Sequence, residues 1–214
     1  MERNTSDIVI GVGIPTYNRY DILKPNLVAY KEDFSGAPLF IVDNGNQGVF
    51  HDNVYVPENN IGVAASWNYL CKEIFKTCEY ALILNDDIYL GKTIGVVKQI
   101  ISKKPNTFTR ATPDWCAFII PKSVYEEVGE FDECFYPAYY EDKSYEYRMK
   151  LKRIPINKTP LLNPYIYRSS SSLEKDPTIL EHSKRNRKTY IMMWGGEPER
   201  EKFISPAFGC NKKG

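Results

Sequence analysis

The hydrophobic pattern alternates short apolar runs with stretches at helical spacing. Residues 8–14, Ile-Val-Ile-Gly-Val-Gly-Ile, are β-rich and stop at Pro15, which predicts a buried first strand. Leu23, Leu27 and Tyr30 then recur at helical spacing, with Pro25 expected near the first turn, where a proline is tolerated. Residues 38–42 predict a second strand and 54–56 a short third one. From Gly62 a helix is expected, with Val63, Trp67, Leu70, Cys71 and Ile74 on its apolar face. Ala81-Leu-Ile-Leu84 then runs straight into Asn85-Asp86-Asp87, as a strand buried on both faces would. Ile94, Val97 and Ile101 mark another helix, ending at Lys103-Lys104-Pro105.

Each of these strands ends in Asp, Asn or Thr, and helices alternate with them. That predicts a parallel, doubly wound half with polar residues gathered along one sheet edge, where open α/β sheets bind ligands. The second half differs in texture. Residues 117–120 predict a strand, 123–128 a short helix, and 131–140 an aromatic, irregular segment leading to Glu141-Asp142. Residues 145–152 read as a helix and 165–168 as a strand. Asp176-Pro177 opens a last long helix to about Trp194. The chain is expected to be one domain, with residues 1–104 as a nucleotide-sugar half and 105–214 as an acceptor half. Its last residues supply no closing element, so an excised piece of a longer polypeptide is a further expectation.

Composition narrows the function. A length of 214 residues suffices for a real core, and a net charge of +1 excludes the broad basic field of a nucleic-acid binder. No apolar run approaches a membrane span, and the polar N-terminus has no signal-peptide core. Five cysteines without a CxxC pair indicate neither a zinc site nor a disulfide frame. A reducing compartment, the cytoplasm, is the expectation.

The candidate chemistry begins at Asn85-Asp86-Asp87. Adjacent carboxylates repel unless a cation, a donor or solvent compensates them. If strand geometry persists, Asn85 and Asp87 share one side and Asp86 faces the other. Such a pair suits a hard divalent cation carrying phosphate oxygens. A plain polar turn accounts for the same residues. Gly11-x-Gly13 is a weak dinucleotide signal, because Thr16 stands at the third glycine position. Trp67 is expected in the core. Trp115 is a core residue with a lesser case for sugar contact, and residues 184–188 form a solvated basic helix face. His51 and His182 are isolated.

The order and spacing of several short motifs resemble an inverting glycosyltransferase of the GT-A fold, close to the large family 2. They are Ile14-Pro-Thr-Tyr-Asn-Arg19, Val42-Asp-Asn-Gly45, Asn59-Asn-Ile-Gly62 with Asn68, Leu84-Asn-Asp-Asp87, Gly129-Glu-Phe-Asp132 and Tyr140-Glu-Asp142, with Tyr190 and Trp194-Gly-Gly196 late in the chain. The resemblance implies an α/β GT-A fold, a UDP-sugar donor, a Mn²⁺ or Mg²⁺ ion and a glycan or glycoconjugate acceptor. It places Pro15, Thr16, Tyr17 and Arg19 at the nucleoside, Asp43 on the uracil, and Asn85 or Asp86 on the ribose. Asn60, Gly62 and Asn68 join the donor site. It gives Asp87 to the metal and makes Asp142 the general base, with Glu141 in reserve. Three departures stand out. Asn85 replaces the first Asp of the family's DxD. Ser144 stands where many relatives carry Asp. Tyr167-Arg168 occupies the place of a late His, so Arg168 is expected to supply positive charge at the diphosphate, with His182 a weaker metal ligand. A sugar-phosphate nucleotidyltransferase would need a glycine-rich first loop with Arg, unlike Pro15-Thr16-Tyr17. A silent nucleotide-sugar-binding module remains the non-enzyme alternative. Sugar, acceptor and oligomeric state are not fixed.

Overall fold

The computed structural model describes residues 4–112, 115–159 and 177–210. Its elements are β1 (Ile10–Thr16), α1 (Tyr20–Asp33), β2 (Leu39–Asp43), β3 (Val54–Tyr55), α2 (Gly62–Ile74), β4 (Tyr80–Leu84) and α3 (Ile94–Lys103). They continue as β5 (Phe108–Ala111), β6 (Ala117–Pro121), α4 (Lys122–Val128), α5 (Glu141–Leu151), β7 (Ile156–Thr159) and α6 (Ile179–Trp194). The strands form one seven-stranded sheet in the order β3-β2-β1-β4-β6-β5-β7. Only β6 runs against the rest, antiparallel to β4 on one side and β5 on the other. The β4–β6 pairing carries the sheet across the two sequence halves.

Apolar layers cover both faces. Leu82 and Leu84 of β4 pack in a cluster with Leu23 and Tyr30 of α1 and Val97 of α3. The alternate residues Ala81 and Ile83 pack with Trp67, Leu70 and Ile74 of α2. The continuous apolar run in β4 thus follows from burial on two faces. The first-strand glycines serve packing. A Cβ on Gly13 would lie 2.8 Å from Ile83 and 3.1 Å from Leu70, and one on Gly11 would lie 2.9 Å from Ile74. They let α2 press directly onto β1.

Several expectations change. Pro25 lies beyond the first turn of α1, because the helix begins at Tyr20; its missing N–H therefore costs an intrahelical bond. β5 and β7 had no counterpart in the hydrophobic pattern. Both are four residues long with consecutive polar residues and no apolar run or alternation, and they exist through pairing with each other in register, Phe108 with Ile156 to Ala111 with Thr159. The strand expected at residues 165–168 and the cap at Asp176 lie outside the described residues. The cysteine reading is also corrected: Cys134 and Cys210 form a disulfide, while Cys71, Cys78 and Cys116 are buried thiols. That bridge removes the basis for inferring a reducing compartment. Among the described residues no helix is long and apolar enough to cross a membrane.

The late motifs lock α5 to α6. Asp132 accepts hydrogen bonds from the Ser144 hydroxyl (2.5 Å) and Arg148 (3.1 Å), and Ser144 accepts one from the Trp194 indole at 2.9 Å. Ser144, fully buried, is a structural pivot. This network fixes the helix whose first residues are Glu141 and Asp142.

Candidate active site

Thr16 and Asp43 are register partners at the ends of β1 and β2, and Asn85 follows the end of β4 between them and the second half of the sheet. The chain edge there opens into a cleft of ≈330 Å³, within the range of small-ligand sites. Pro15, Thr16 and Tyr17 line it from β1, Asn60, Gly62 and Val63 from the start of α2, and Asn85, Asp86 and Asp87 from the turn after β4. Tyr136, Pro137 and Ala138 approach from the aromatic segment, and Ile179 and His182 from the first turn of α6.

β4 ends at Leu84, so strand alternation does not persist through the acidic turn. Asn85, Asp86 and Asp87 all reach the same cleft, correcting the expectation that Asp86 faces away. Asp86 is buried and accepts a bond from the Tyr17 N–H at 3.4 Å. Burial pushes its carboxyl up to about 7; the Thr16 hydroxyl and the Tyr17 N–H pull it down, and the neighbouring Asp87 charge pushes it up. The folded chain thus holds this proton more tightly than the unfolded chain does. The stability it contributes is complete below the usual carboxylate range and is lost as pH rises through about 7. In metal-free protein, wild-type stability should fall relative to Asp86→Asn from about pH 4 to about pH 7 and level off above it, by up to about 1.4 kcal/mol per pH unit. Denaturant unfolding of both proteins across that range checks it; parallel profiles would contradict it.

Two adjacent carboxylates, with an imidazole across the cleft, fit a hard divalent cation in donor chemistry. Among the described residues no three His, Cys, Asp or Glu converge closely enough to hold a metal by themselves. Ions of this class commonly take one or two carboxylates and complete their shell with phosphate oxygens and water.

The remaining predicted residues divide. Asp43 is fully buried and does not line the cleft. Its carboxylate accepts bonds from Gly45 N (3.2 Å), Gln47 N (2.7 Å) and Gln47 Nε2 (3.1 Å). Reading a uracil would require one of these bonds to open. Asn68 is a clasp: it donates to Phe131 O and Glu133, both at 3.0 Å, and accepts from Phe131 N at 2.7 Å. It belongs to the packing of α2 against residues 131–133 and not to the cleft. Arg19 is buried behind the cleft wall, 3.5 Å from Asp21, and its charge steadies Asp86 from there. Arg168 lies outside the described residues. Trp67 and Trp115 stack in the core, and the Trp115 indole N–H reaches Glu146 at 3.4 Å, so sugar contact by Trp115 is not supported.

Asn44, Val63, Tyr136–Ala138 and Ile179 were not expected in the cleft. Asn44 stood inside a quoted motif; its side chain accepts from Ile61 N (3.0 Å) and donates to Ser66 (2.9 Å), holding the loop before α2. The aromatic segment walls this cleft because Pro137 O accepts from Val63 N at 2.8 Å. Asn186 also holds it, donating to the carbonyls of Ala138 (2.8 Å) and Tyr139 (3.2 Å). Asn186 is fully buried within the basic run read as a solvated face. Gly62 is pinned in the same contact: it has φ +80°, and a Cβ would lie 2.9 Å from the Tyr136 ring and 3.0 Å from Pro137 O. Gly62→Ala should destabilise the fold by about 1–3 kcal/mol and weaken ligand binding in the cleft. Denaturant unfolding measures the first effect, and an unchanged midpoint would contradict it.

Glu141 and Asp142 occupy the first turn of α5, whose N-cap is Tyr140 in a left-handed conformation, φ 78°. Asp142 is therefore not the helix cap. Glu141 is buried with its Oε2 lacking a hydrogen-bond partner, and burial together with the Asp142 charge holds its carboxyl well above the usual range. Burial also raises Asp142, against the pull of Lys143 at 4.0 Å, but its side chain is 21% exposed. Neither residue lines the cleft. Tyr139 bridges the gap: burial and then the charges of Glu141 and Asp87 raise its hydroxyl.

No family model and no curated protein sequence matches the chain. Solved structures do. GalNAc-T7 with UDP, GalNAc and Mn²⁺ is 11% identical with a TM-score of 0.66, over 90% of this chain and 49% of that one. The catalytic domain of Drosophila β1,4-galactosyltransferase 7 with xylobiose is 11% identical with a TM-score of 0.47, over 71% and 64%. A CMP:2-keto-3-deoxy-manno-octonic acid synthetase with CTP is 8% identical with a TM-score of 0.49, over 81% and 98%. The chain thus spans between half and two thirds of the length of the glycosyltransferases it matches. The strand order and the GalNAc-T7 likeness together give this chain a GT-A glycosyltransferase fold.

Proposed function

We propose that this chain is a metal-dependent inverting glycosyltransferase that moves a sugar from a UDP-sugar to a hydroxyl of a glycan or glycoconjugate. The observation that carries the reading is the acidic turn Asn85-Asp86-Asp87 opening, with His182 opposite, into a cleft at the strand ends of a GT-A sheet. GalNAc-T7, which shares the fold, binds UDP and Mn²⁺, and that supports the same ligand class here.

In this reading Asp87 and His182 hold a Mn²⁺ or Mg²⁺ ion, with Asp86 beside them. When bound, the ion offsets negative charge on the departing diphosphate. Tyr17, 39% exposed at the cleft, offers a ring face to the base. Gly62, without a Cβ, lets Tyr136 and Pro137 close against the start of α2 and form the wall that faces the diphosphate or sugar. Asp142 takes the proton from the acceptor hydroxyl as its oxygen bonds to the sugar carbon and the bond to the diphosphate breaks. Attack from the side opposite the diphosphate inverts the configuration.

Incubation with a panel of UDP-sugars and Mn²⁺, with and without acceptors, tests the reading through UDP release. Release dependent on the cation is expected. Binding with neither hydrolysis nor transfer across a broad acceptor set would replace the enzyme with a nucleotide-sugar-binding module.

A further inference from the structure

A second, larger cleft of ≈690 Å³, about twice the volume of the first, runs along α5. One long wall is Lys143, Tyr147 and Lys150, spaced three and four residues apart on a single helix face. The sheet contributes Arg110 and Lys158, register partners on β5 and β7. The opposite wall is Pro198, Glu199 and Glu201.

Charge decides what such a groove accepts. Glu146 sits between Arg110 and Lys158, 3.9 Å from each. Glu201 is held by Tyr190 and by Glu199 N, which fixes a carboxylate on the far wall. The lining carries five cationic side chains, Arg110, Lys143, Lys150, Arg153 and Lys158, and three carboxylates, Glu146, Glu199 and Glu201. Glu146 is already shared by Arg110 and Lys158, so an anion meets the carboxylates and a cation meets the five bases. A neutral polyol satisfies both sets, because its hydroxyls donate to Glu and accept from Lys and Arg, each as a charge-assisted bond. Ile154, Ile156 and Pro198 add apolar surface for the C–H faces of a sugar ring.

The position of the groove gives it a use. Its wall residue Lys143 is 4.0 Å from Asp142, and the Glu146 charge reaches Asp142 as well. Tyr136–Ala138 line the first cleft, and Tyr139 next to them feels the charges of both Glu141 and Asp87. The chain from Tyr136 to Lys143 therefore runs from the first cleft to the groove, past Asp142.

We propose that this groove binds a neutral oligosaccharide as the acceptor and delivers its end toward Asp142. The assignment rests on the transferase reading above. Isoleucine δ-methyls report the two sites separately: Ile154 and Ile156 line the groove and Ile179 the first cleft. The full chain, methyl-labelled, is titrated with mixed neutral tri- and tetrasaccharides of pentoses and hexoses, with their sulfated and uronate counterparts, and separately with UDP and Mg²⁺. Neutral sugars should shift Ile154 and Ile156 but not Ile179, and UDP should do the reverse. The exposed pair Lys150→Ala with Glu199→Ala should weaken the sugar response at least about fivefold, leaving the UDP response intact. Three results overturn the proposal: neutral sugars that leave the groove methyls unmoved while UDP moves Ile179, equal sugar binding by the double variant, or tighter binding of the anionic sugars. Sugar shifts without any UDP response would defeat the transferase reading and, with it, the acceptor role of the groove.

Discussion

Asp142→Asn should lower turnover roughly 10²–10⁴-fold, with UDP affinity and melting temperature nearly unchanged. An acceptor hydroxyl is a poor nucleophile and must lose its proton as the new bond forms. A single inverting displacement needs the base on the acceptor side, away from the diphosphate. Asp142 meets both demands: it adjoins the larger groove and stays outside the cleft that holds Asp86 and Asp87. A capping role would have explained an acidic residue here, but the cap is Tyr140. Asn keeps the shape of Asp and removes the basic oxygen, so the loss should fall on kcat. Glu141→Gln is the control, since Glu141 is buried and lines neither cavity; its effect on kcat should be far smaller. Measuring kcat, UDP affinity and melting temperature for both variants decides between them. Near-normal turnover in Asp142→Asn with loss in Glu141→Gln would move the base to Glu141.

Asp87→Ala should remove most of the cation dependence and weaken UDP binding in Mn²⁺ at least about tenfold, or 1.4 kcal/mol. Its carboxylate lines the cleft beside Asp86, while Asp86 is engaged by the Tyr17 N–H. Removing Asp87 also relieves the repulsion on Asp86, whose carboxyl should then fall below about 7. The variant should therefore bind UDP weakly and almost equally with and without Mn²⁺. Calorimetry showing wild-type affinity and cation dependence in Asp87→Ala would move the metal elsewhere.

The parallel half of the fold was legible because its signals are local. The apolar run in β4, the helical spacing in α2 and α3, and the polar residue after each strand are set by burial within a few residues of sequence. β5 and β7 were not legible, since Phe108-Thr-Arg-Ala111 and Ile156-Asn-Lys-Thr159 become strands only by pairing across the chain. The disulfide between Cys134 and Cys210 is likewise a long-range contact, 76 residues apart.

Within the candidate site, Pro15, Thr16, Tyr17, Asn60, Gly62, Asn85, Asp86, Asp87 and His182 do come together. Asp43 and Asn68 stood out in the same motifs for a different physical reason. Each uses both side-chain oxygens or amide groups to hold a backbone loop, and sequence order does not tell a loop clasp from a ligand contact. Residues 131–140 stood out as an aromatic segment, but nothing in their pattern put Tyr136–Ala138 at this cleft; a carbonyl contact from Pro137 to Val63 brings them there.

The most direct measurement is titration calorimetry of the wild-type chain with UDP, with and without Mn²⁺. The account predicts binding in Mn²⁺ that weakens at least about tenfold when the cation is withdrawn by chelation. Equal affinity in the two conditions, or no UDP binding in either, would contradict it.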